Sequence, residues 1–301
     1  MEAQSILVLQ LWPARVKAKQ AGVLEATGLL ADLGAAARVG GPLADRSGVV
    51  WVDIPTAAVP EATARFPLLG YTASVRLLVP AAEARAGDER VHWQGRPHAL
   101  HLLHEADTGL LESRAPHRRS FLLECGDGVV RKVPGYRGGR DPLSHRALPV
   151  QDARLLVNLV HRPGRAAFLD PFAGAGSIVL EAREHGWFAV SADIDPALRY
   201  GLASLGSGHV VADARALPFS AGSFDAIATE PPYHPSATAT VVEALTELYR
   251  LLRPGGVLSM LVARDQRPDL VRQAGALGFT IELDVAVDRK GLPVAALAWT
   301  R

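Results

Sequence analysis

Residues 166–182, Ala-Ala-Phe-Leu-Asp-Pro-Phe-Ala-Gly-Ala-Gly-Ser-Ile-Val-Leu-Glu-Ala, change character halfway along. The opening residues are apolar without alternation, the pattern of a parallel strand covered on both faces. Asp170 and Pro171 end that run, Gly174 and Gly176 supply a tight turn, and Ser177 stands where a helix N-cap is expected. Ile178, Val179 and Leu180 then carry a helix back onto the sheet. Strand, Gly-rich turn and helix in that order make a βα unit. Such a turn lets a polar ligand approach the backbone amides at the carboxyl end of the strand. On its own the Gly-x-Gly pattern also fits a plain strand-to-helix turn.

Three more strand ends narrow the choice. Phe188 to Asp195 reads as a second short strand ending in acids, about 20 residues on, where a Rossmann-like unit carries its ribose-binding carboxylate. His209 to Ala214 reads as a third, ending in Asp213, with Leu217-Pro218-Phe219 behind it. Ser223 to Thr229 is a fourth and runs into Glu230-Pro231-Pro232-Tyr233. Four strand ends bearing a Gly turn, an acid, an acid and acid-Pro-Pro-aromatic resemble, as an ordered set, the S-adenosylmethionine-dependent methyltransferases. The last tetrapeptide, usually Asp or Asn-Pro-Pro-Tyr, resembles the branch that methylates amino groups.

At 301 residues and 49% hydrophobic, the chain suits two domains, or one large one, and can bury a core. A net charge of +1 argues against a chain that is basic throughout. Cys125 is the sole cysteine, so neither an internal disulfide nor a Cys-based metal cluster is available. The apolar run Ile6–Leu11 is too short for a signal core, and no segment reaches the length of a membrane span. A cytoplasmic protein is expected.

Before the Gly turn, Ser5–Leu11, Gly48–Ile54 and Thr72–Val79 read as strands, and Lys17–Leu33 and Ala57–Phe66 as amphipathic helices. Residues 1–80 are therefore expected to form a small α/β domain. Residues 81–147 read as an irregular connector with short strands at Ala99–His104 and Ser120–Cys125 and a hairpin turn at Asp127-Gly128. Within Arg114 to Arg146, the bases Arg114, Arg118, Arg119, Arg131, Lys132, Arg137, Arg140 and Arg146 stand against Glu124, Asp127 and Asp141, with Tyr136, His117 and His145 among them. Such a patch suits phosphate contacts, and a solvated connector in an Arg-rich chain explains it as well. His101, His104, His117 and His145 have no compact ligand spacing, so no metal is expected.

Residues 148–301 read as the catalytic domain. A helix at Pro149–Val160 leads into the central strand, and a helix at Thr240–Leu252 precedes a Pro-Gly-Gly turn into the strand that ends at Val262. Leu270–Gly278 is a further helix, and Phe279–Val287 with Pro293–Trp299 makes a hairpin joined at Arg289-Lys290-Gly291. The methyltransferase resemblance covers about Pro149 to Arg301. Asp170-Pro-Phe-Ala-Gly-Ala-Gly-Ser with Pro-Pro-Tyr, behind a separate N-terminal domain, is similar to the tRNA guanosine-N2 methyltransferases related to THUMP-bearing RNA methyltransferases. The lead-in Ser144 to Asn158 also looks like theirs.

The resemblance implies a Rossmann-like class I fold, a seven-stranded mixed sheet with its last strand antiparallel, and S-adenosyl-L-methionine as cofactor. It implies a cofactor site of Asp170, Pro171, Phe172, Ala173, Gly174, Gly176, Ser177, Asp193, Ile194, Asp213 and Ala214. Asp170 would hold the amino end, Asp193 the ribose hydroxyls and Asp213 the adenine amino group, with the Ala214 amide facing the ring. Leu217 and Phe219 suit either the adenine or the core. Glu230, Pro231, Pro232 and Tyr233 would form the acceptor loop, an acid and the Pro231 carbonyl taking the two amine hydrogens while Tyr233 stacks on the base. Glu230 departs from the usual Asp or Asn, and the extra methylene moves the carboxylate by roughly one carbon–carbon bond. The implied partner is RNA, above all tRNA, with no membrane. A DNA adenine or cytosine N-methyltransferase, an N-methyltransferase of a small molecule or peptide, and a non-catalytic cofactor-binding module remain as alternatives.

Overall fold

The computed structural model describes residues 3–40, 43, 46–114, 120–134, 143, 146–161, 164, 166–205, 208–289 and 292–301. It divides the chain into two compact units, Met1–Asp107 and Thr108–Arg301.

The first unit contains β1 (Gln4–Leu11), α1 (Lys19–Leu29), β2 (Ala36–Val39), β3 (Val49–Pro55), α2 (Val59–Arg65), β4 (Thr72–Pro80), β5 (Glu89–Trp93) and β6 (Arg96–Glu105). Its six strands pair in the order β2-β3-β1-β4-β6-β5, antiparallel throughout. The sheet thus runs on past residue 80 through β5 and β6. β3 is buried along nearly its whole length because both of its faces are covered. Trp51 packs with Val8, Val91 and Leu100 on one face, while α1 contacts β3. The buried Glu25 carboxylate accepts from the Gly70 amide at 2.6 Å and the Tyr71 amide at 3.0 Å, tying α1 to the turn before β4. His101 pairs with Asp88 at 3.1 Å, and the His104 ring lies 6.3 Å from that of Phe66. Among the described residues no group of His, Cys, Asp or Glu could hold a metal ion. His117 and His145 lie outside the described residues, as do Arg118, Arg119, Tyr136, Arg137 and Arg140 of the basic segment.

The second unit opens with α3 (Thr108–Arg114) and a hairpin of β7 (Ser120–Glu124) and β8 (Val130–Pro134). Its turn is the expected Asp127-Gly128: the Val129 amide donates to Asp127 at 3.0 Å, and Gly128 takes φ +76°. Then come α4 (Val150–Leu159), β9 (Ala167–Asp170), α5 (Ser177–Glu184), β10 (Phe188–Asp193), α6 (Arg199–Ala203), β11 (His209–Val211) and β12 (Phe224–Thr229). The unit closes with α7 (Thr238–Leu251), β13 (Leu252–Ala263), α8 (Arg267–Leu277), β14 (Thr280–Arg289) and β15 (Leu292–Thr300).

Seven strands pair in the order β11-β10-β9-β12-β13-β15-β14. The first five run parallel, and β15 enters antiparallel to both of its neighbours. This is the expected class I methyltransferase sheet. Strand alternation divides the core between two faces. Leu169, Ile227, Leu258 and Met260 join α7 and α8 residues such as Leu245, Leu248 and Leu270 in one cluster. Ser259 points the other way, its hydroxyl donating to the Leu156 carbonyl of α4 at 2.7 Å. Strand order reverses between β9 and β12, so the carboxyl ends of these strands open on the crevice at the topological switch point.

Two local expectations change. The N-cap of α5 is Gly176, without a side-chain cap, and Ser177 is the first helical residue. The third strand stops at Val211, so Asp213 comes after it on a turn. No described helix is long and apolar enough to cross a membrane.

Candidate active site at the strand ends

Asp170 ends β9 and is 1% exposed. Its Oδ1 accepts from the Thr229 hydroxyl at 2.8 Å, linking the ends of β9 and β12, and from the Phe172 amide at 3.3 Å. Burial pushes this carboxyl up to about 7, and the nearby Asp193 carboxylate adds to the push, while the bonds from Thr229 and Phe172 oppose it. Pro171 and Ala173 are buried beside it and Phe172 is half-buried.

The glycine turn is closed by its own chain. The Ala173 amide donates to the Ala192 carbonyl at 3.0 Å, Gly174 to Asp193 Oδ2 at 2.9 Å, Ala175 to the Arg146 carbonyl at 2.7 Å and Gly176 to Ala173 at 2.7 Å. Gly174 takes φ +51°, and a Cβ there would lie 2.4 Å from the Arg146 carbonyl oxygen. At Gly176, φ +74°, a Cβ would lie 2.2 Å from a Leu205 methyl. Both glycines are therefore demanded by left-handed backbone and close approach within the chain, before any ligand is considered.

Asp193 ends β10. One carboxylate oxygen takes the Gly174 amide and the other takes the Asp195 amide at 3.0 Å, so each keeps a further lone pair. Ile194 comes next at 65% exposure, a large apolar side chain left in solvent at a strand end. Asp213 is bound by its neighbour Arg215, through the backbone amide at 2.9 Å and Nη2 at 2.7 Å, which holds its carboxyl below the usual range. Ala214 is buried beside it. Leu217 belongs to the core cluster, and Phe219 meets Phe224 edge-on at 5.2 Å, so of the two options left open by the sequence both take core packing.

The loop after β12 is held from several sides. Glu230 and Tyr233 are half-buried, Pro231 is buried and Pro232 is exposed. Gln266, 1% exposed before α8, donates to the Pro232 carbonyl at 2.9 Å. Arg289 of β14 donates through Nη1 to Glu230 Oε1 at 2.5 Å and to the Tyr233 hydroxyl at 2.8 Å. The Tyr233 hydroxyl donates to the same Glu230 oxygen. Arg289 Nε in turn pairs with Asp152 of α4 at 3.0 Å. Motifs in the sequence give no sign of Asp152, Gln266 or Arg289. Glu in place of Asp or Asn was the one available hint that a distant partner was being reached.

A family model described as a methyltransferase domain matches residues 169–260, the segment running from β9 into β13. No curated protein matches the sequence. Among solved structures, TrmN from Thermus thermophilus is 19% identical, with 99% of each chain covered and a TM-score of 0.52. The 1,6-didemethyltoxoflavin-N1-methyltransferase of Burkholderia thailandensis is 21% identical over 50% of this chain and 77% of its own, at a TM-score of 0.40. The magnesium protoporphyrin IX methyltransferase of Synechocystis PCC 6803 is 16% identical over 50% of this chain and 79% of its own, at 0.41. Residues 169–260 thus carry a methyltransferase domain by their matched model, and by its strand order and its inserted antiparallel strand the second unit has the class I methyltransferase fold.

Proposed function

We propose that this chain methylates an exocyclic amine of RNA, with N2 of a tRNA guanosine as the acceptor. The observation that carries the reading is Glu230-Pro231-Pro232-Tyr233 at the carboxyl end of β12, joined to the Asp170 end of β9 through Thr229. The fold likeness to TrmN of Thermus thermophilus extends over both units.

The side chains fit the cofactor. Asp170 is a buried carboxyl whose ionisation a cationic amino group would favour. Asp193 has lone pairs left for ribose hydroxyls, exposed Ile194 offers an apolar face to adenine, and Asp213 with Ala214 lies at the next strand end. Pro171, Phe172, Ala173, Gly174, Gly176 and Ser177 shape the floor between them. S-adenosylmethionine, when bound, supplies a methyl group on a sulfonium centre. An exocyclic amine is a poor nucleophile because its lone pair is delocalised into the ring, so orientation carries much of the rate. The Pro231 carbonyl would accept an amine hydrogen and Tyr233 would stack on the base, a contact of about 1–3 kcal/mol. Consecutive prolines keep that loop stiff. A paired target base would first be flipped out.

Substrate recognition is assigned to residues 1–80, and phosphate contact to the basic segment within 81–147, of which Arg131, Lys132 and Arg146 are exposed. Residues 148–301 carry the chemistry. The test is incubation with methyl-labelled cofactor and, separately, unmodified tRNA transcripts, DNA duplexes and a metabolite extract. Label in tRNA, recovered as N2-methylguanosine and abolished by high salt, is expected. Label only in DNA or in the small-molecule fraction would overturn the RNA assignment.

A further inference from the structure

One guanidinium joins three separate parts of the second unit. The Arg289 side chain is 5% exposed and reaches Asp152 on α4 through Nε, at 3.0 Å, with Asp152 fully buried. Through Nη1 it reaches Glu230, 2.5 Å away, and the Tyr233 hydroxyl, 2.8 Å away. Taking these charges out of water is costly, and a buried ion pair is a poor device for stability alone. A planar fork on a nearly buried stem is suited to fixing geometry.

The motif's departure then has a physical reason. Arg289 approaches from β14, 59 residues along the chain, and the extra methylene of Glu230 supplies the reach to meet it. On the far side of the prolines, Gln266 holds the Pro232 carbonyl at 2.9 Å. The loop is thus pinned at both ends, and the hydroxyl of Tyr233 is bound to the same Glu230–Arg289 pair.

We propose that Arg289 is the positioning residue of the acceptor loop, and that Glu230 is its tether, matched to it in length, with no charge-dependent role toward the substrate. The proposal rests on the assignment of residues 230–233 as the acceptor loop. It makes an inverted prediction about conservative variants. E230Q keeps the length, and its amide oxygen accepts from both Arg289 and Tyr233, while Arg289 stays neutralised by Asp152. E230D keeps the charge but falls short of hydrogen-bond range. R289K keeps a charge but loses the fork that serves both sides.

Two readouts test it. In the first, 3-fluorotyrosine is incorporated into the whole chain, the Tyr233 resonance is assigned with Tyr233→Phe, and its fluorine shift is tracked in each variant. E230D and R289K should move it clearly and E230Q least, with S-adenosylmethionine affinity and circular dichroism unchanged in all three. In the second, methyl transfer to unmodified tRNA transcripts at saturating cofactor should fall on the order of a hundredfold in kcat for E230D and R289K. E230Q should fall less than either. A Tyr233 resonance unmoved by E230D and R289K overturns the proposal whatever the acceptor is. So does an active E230D beside an inactive E230Q, because charge and not length would then be required. If the unaltered protein methylates no transcript, the tRNA assignment fails, and the fluorine shifts still decide the tether.

Discussion

Gly174 and Gly186 make a pair that separates backbone strain from close approach. Both have positive φ, +51° and +73°. A Cβ on Gly186 meets nothing within 4 Å, whereas one on Gly174 meets the Arg146 carbonyl oxygen at 2.4 Å. Alanine in the left-handed region costs about 1–2 kcal/mol, and G186A should cost that much. In G174A the obstacle is backbone, and that carbonyl already accepts the Ala175 amide at 2.7 Å. Relief means opening that bond or the 2.9 Å bond from the Gly174 amide to Asp193. Either loss adds roughly 1–3 kcal/mol. G174A should therefore be the more destabilising by about 2 kcal/mol, near thirtyfold in the unfolding constant. Urea unfolding of the whole chain by circular dichroism, with both variants side by side, measures the difference. Calorimetry with S-adenosylmethionine should show weakened binding in G174A and normal binding in G186A. Equal destabilisation by the two would refute the close-approach argument, leaving φ alone to explain the glycine.

Two further outcomes are expected of the site. Because burial raises the Asp170 carboxyl to about 7, the folded chain holds a proton that the unfolded chain has lost above its ordinary 3.8. Stability should thus fall as pH rises between those values, and cofactor affinity should rise toward pH 7, up to tenfold per unit, then level off. Asp170→Asn should flatten both profiles in calorimetry and thermal melts, and an unchanged slope would remove Asp170 from the amino-end role. Gln266→Leu should free the Pro232 carbonyl and lower kcat on RNA about tenfold or more while leaving cofactor binding intact. Equal loss of binding would mean that it acts on the whole crevice.

Much of the second unit was legible because its signals are local. The Gly turn and the acids at positions 193 and 213 each declare a strand end within a few residues, whereas Pro254-Gly255-Gly256, expected as a turn before the strand, lies inside β13. The hairpin periodicity alone could not tell that β15 lies between β13 and β14, since pairing order is set by distant partners. In the first unit, β2 escaped notice because Ala36–Val39 is short and mostly exposed, with little apolar pattern to read. The role of the glycines was legible as a turn. Its cause, the approach of Arg146 and Leu205, was not, because neither residue type advertises what its backbone or methyl will touch. Arg289 was hidden for the same reason: in the sequence it stands out only as part of a turn between two strands.

The placement of β15 also fixes an order of events during synthesis. Among the described residues β14 pairs only with β15, which in turn pairs with β13. A nascent chain that has emerged through β14 has no place for that strand in the sheet until β15 arrives and fills the gap. β9 to β12, which carry the glycine turn and the two acids, can assemble while this is still pending. Arg289 rides on β14, so its contacts to Glu230 and Tyr233 form only once the hairpin docks. The glycine-turn half of the crevice should therefore mature before the Glu230–Tyr233 loop is tied down, and a ribosome-stalled chain ending between β13 and β15 would retain the one without the other.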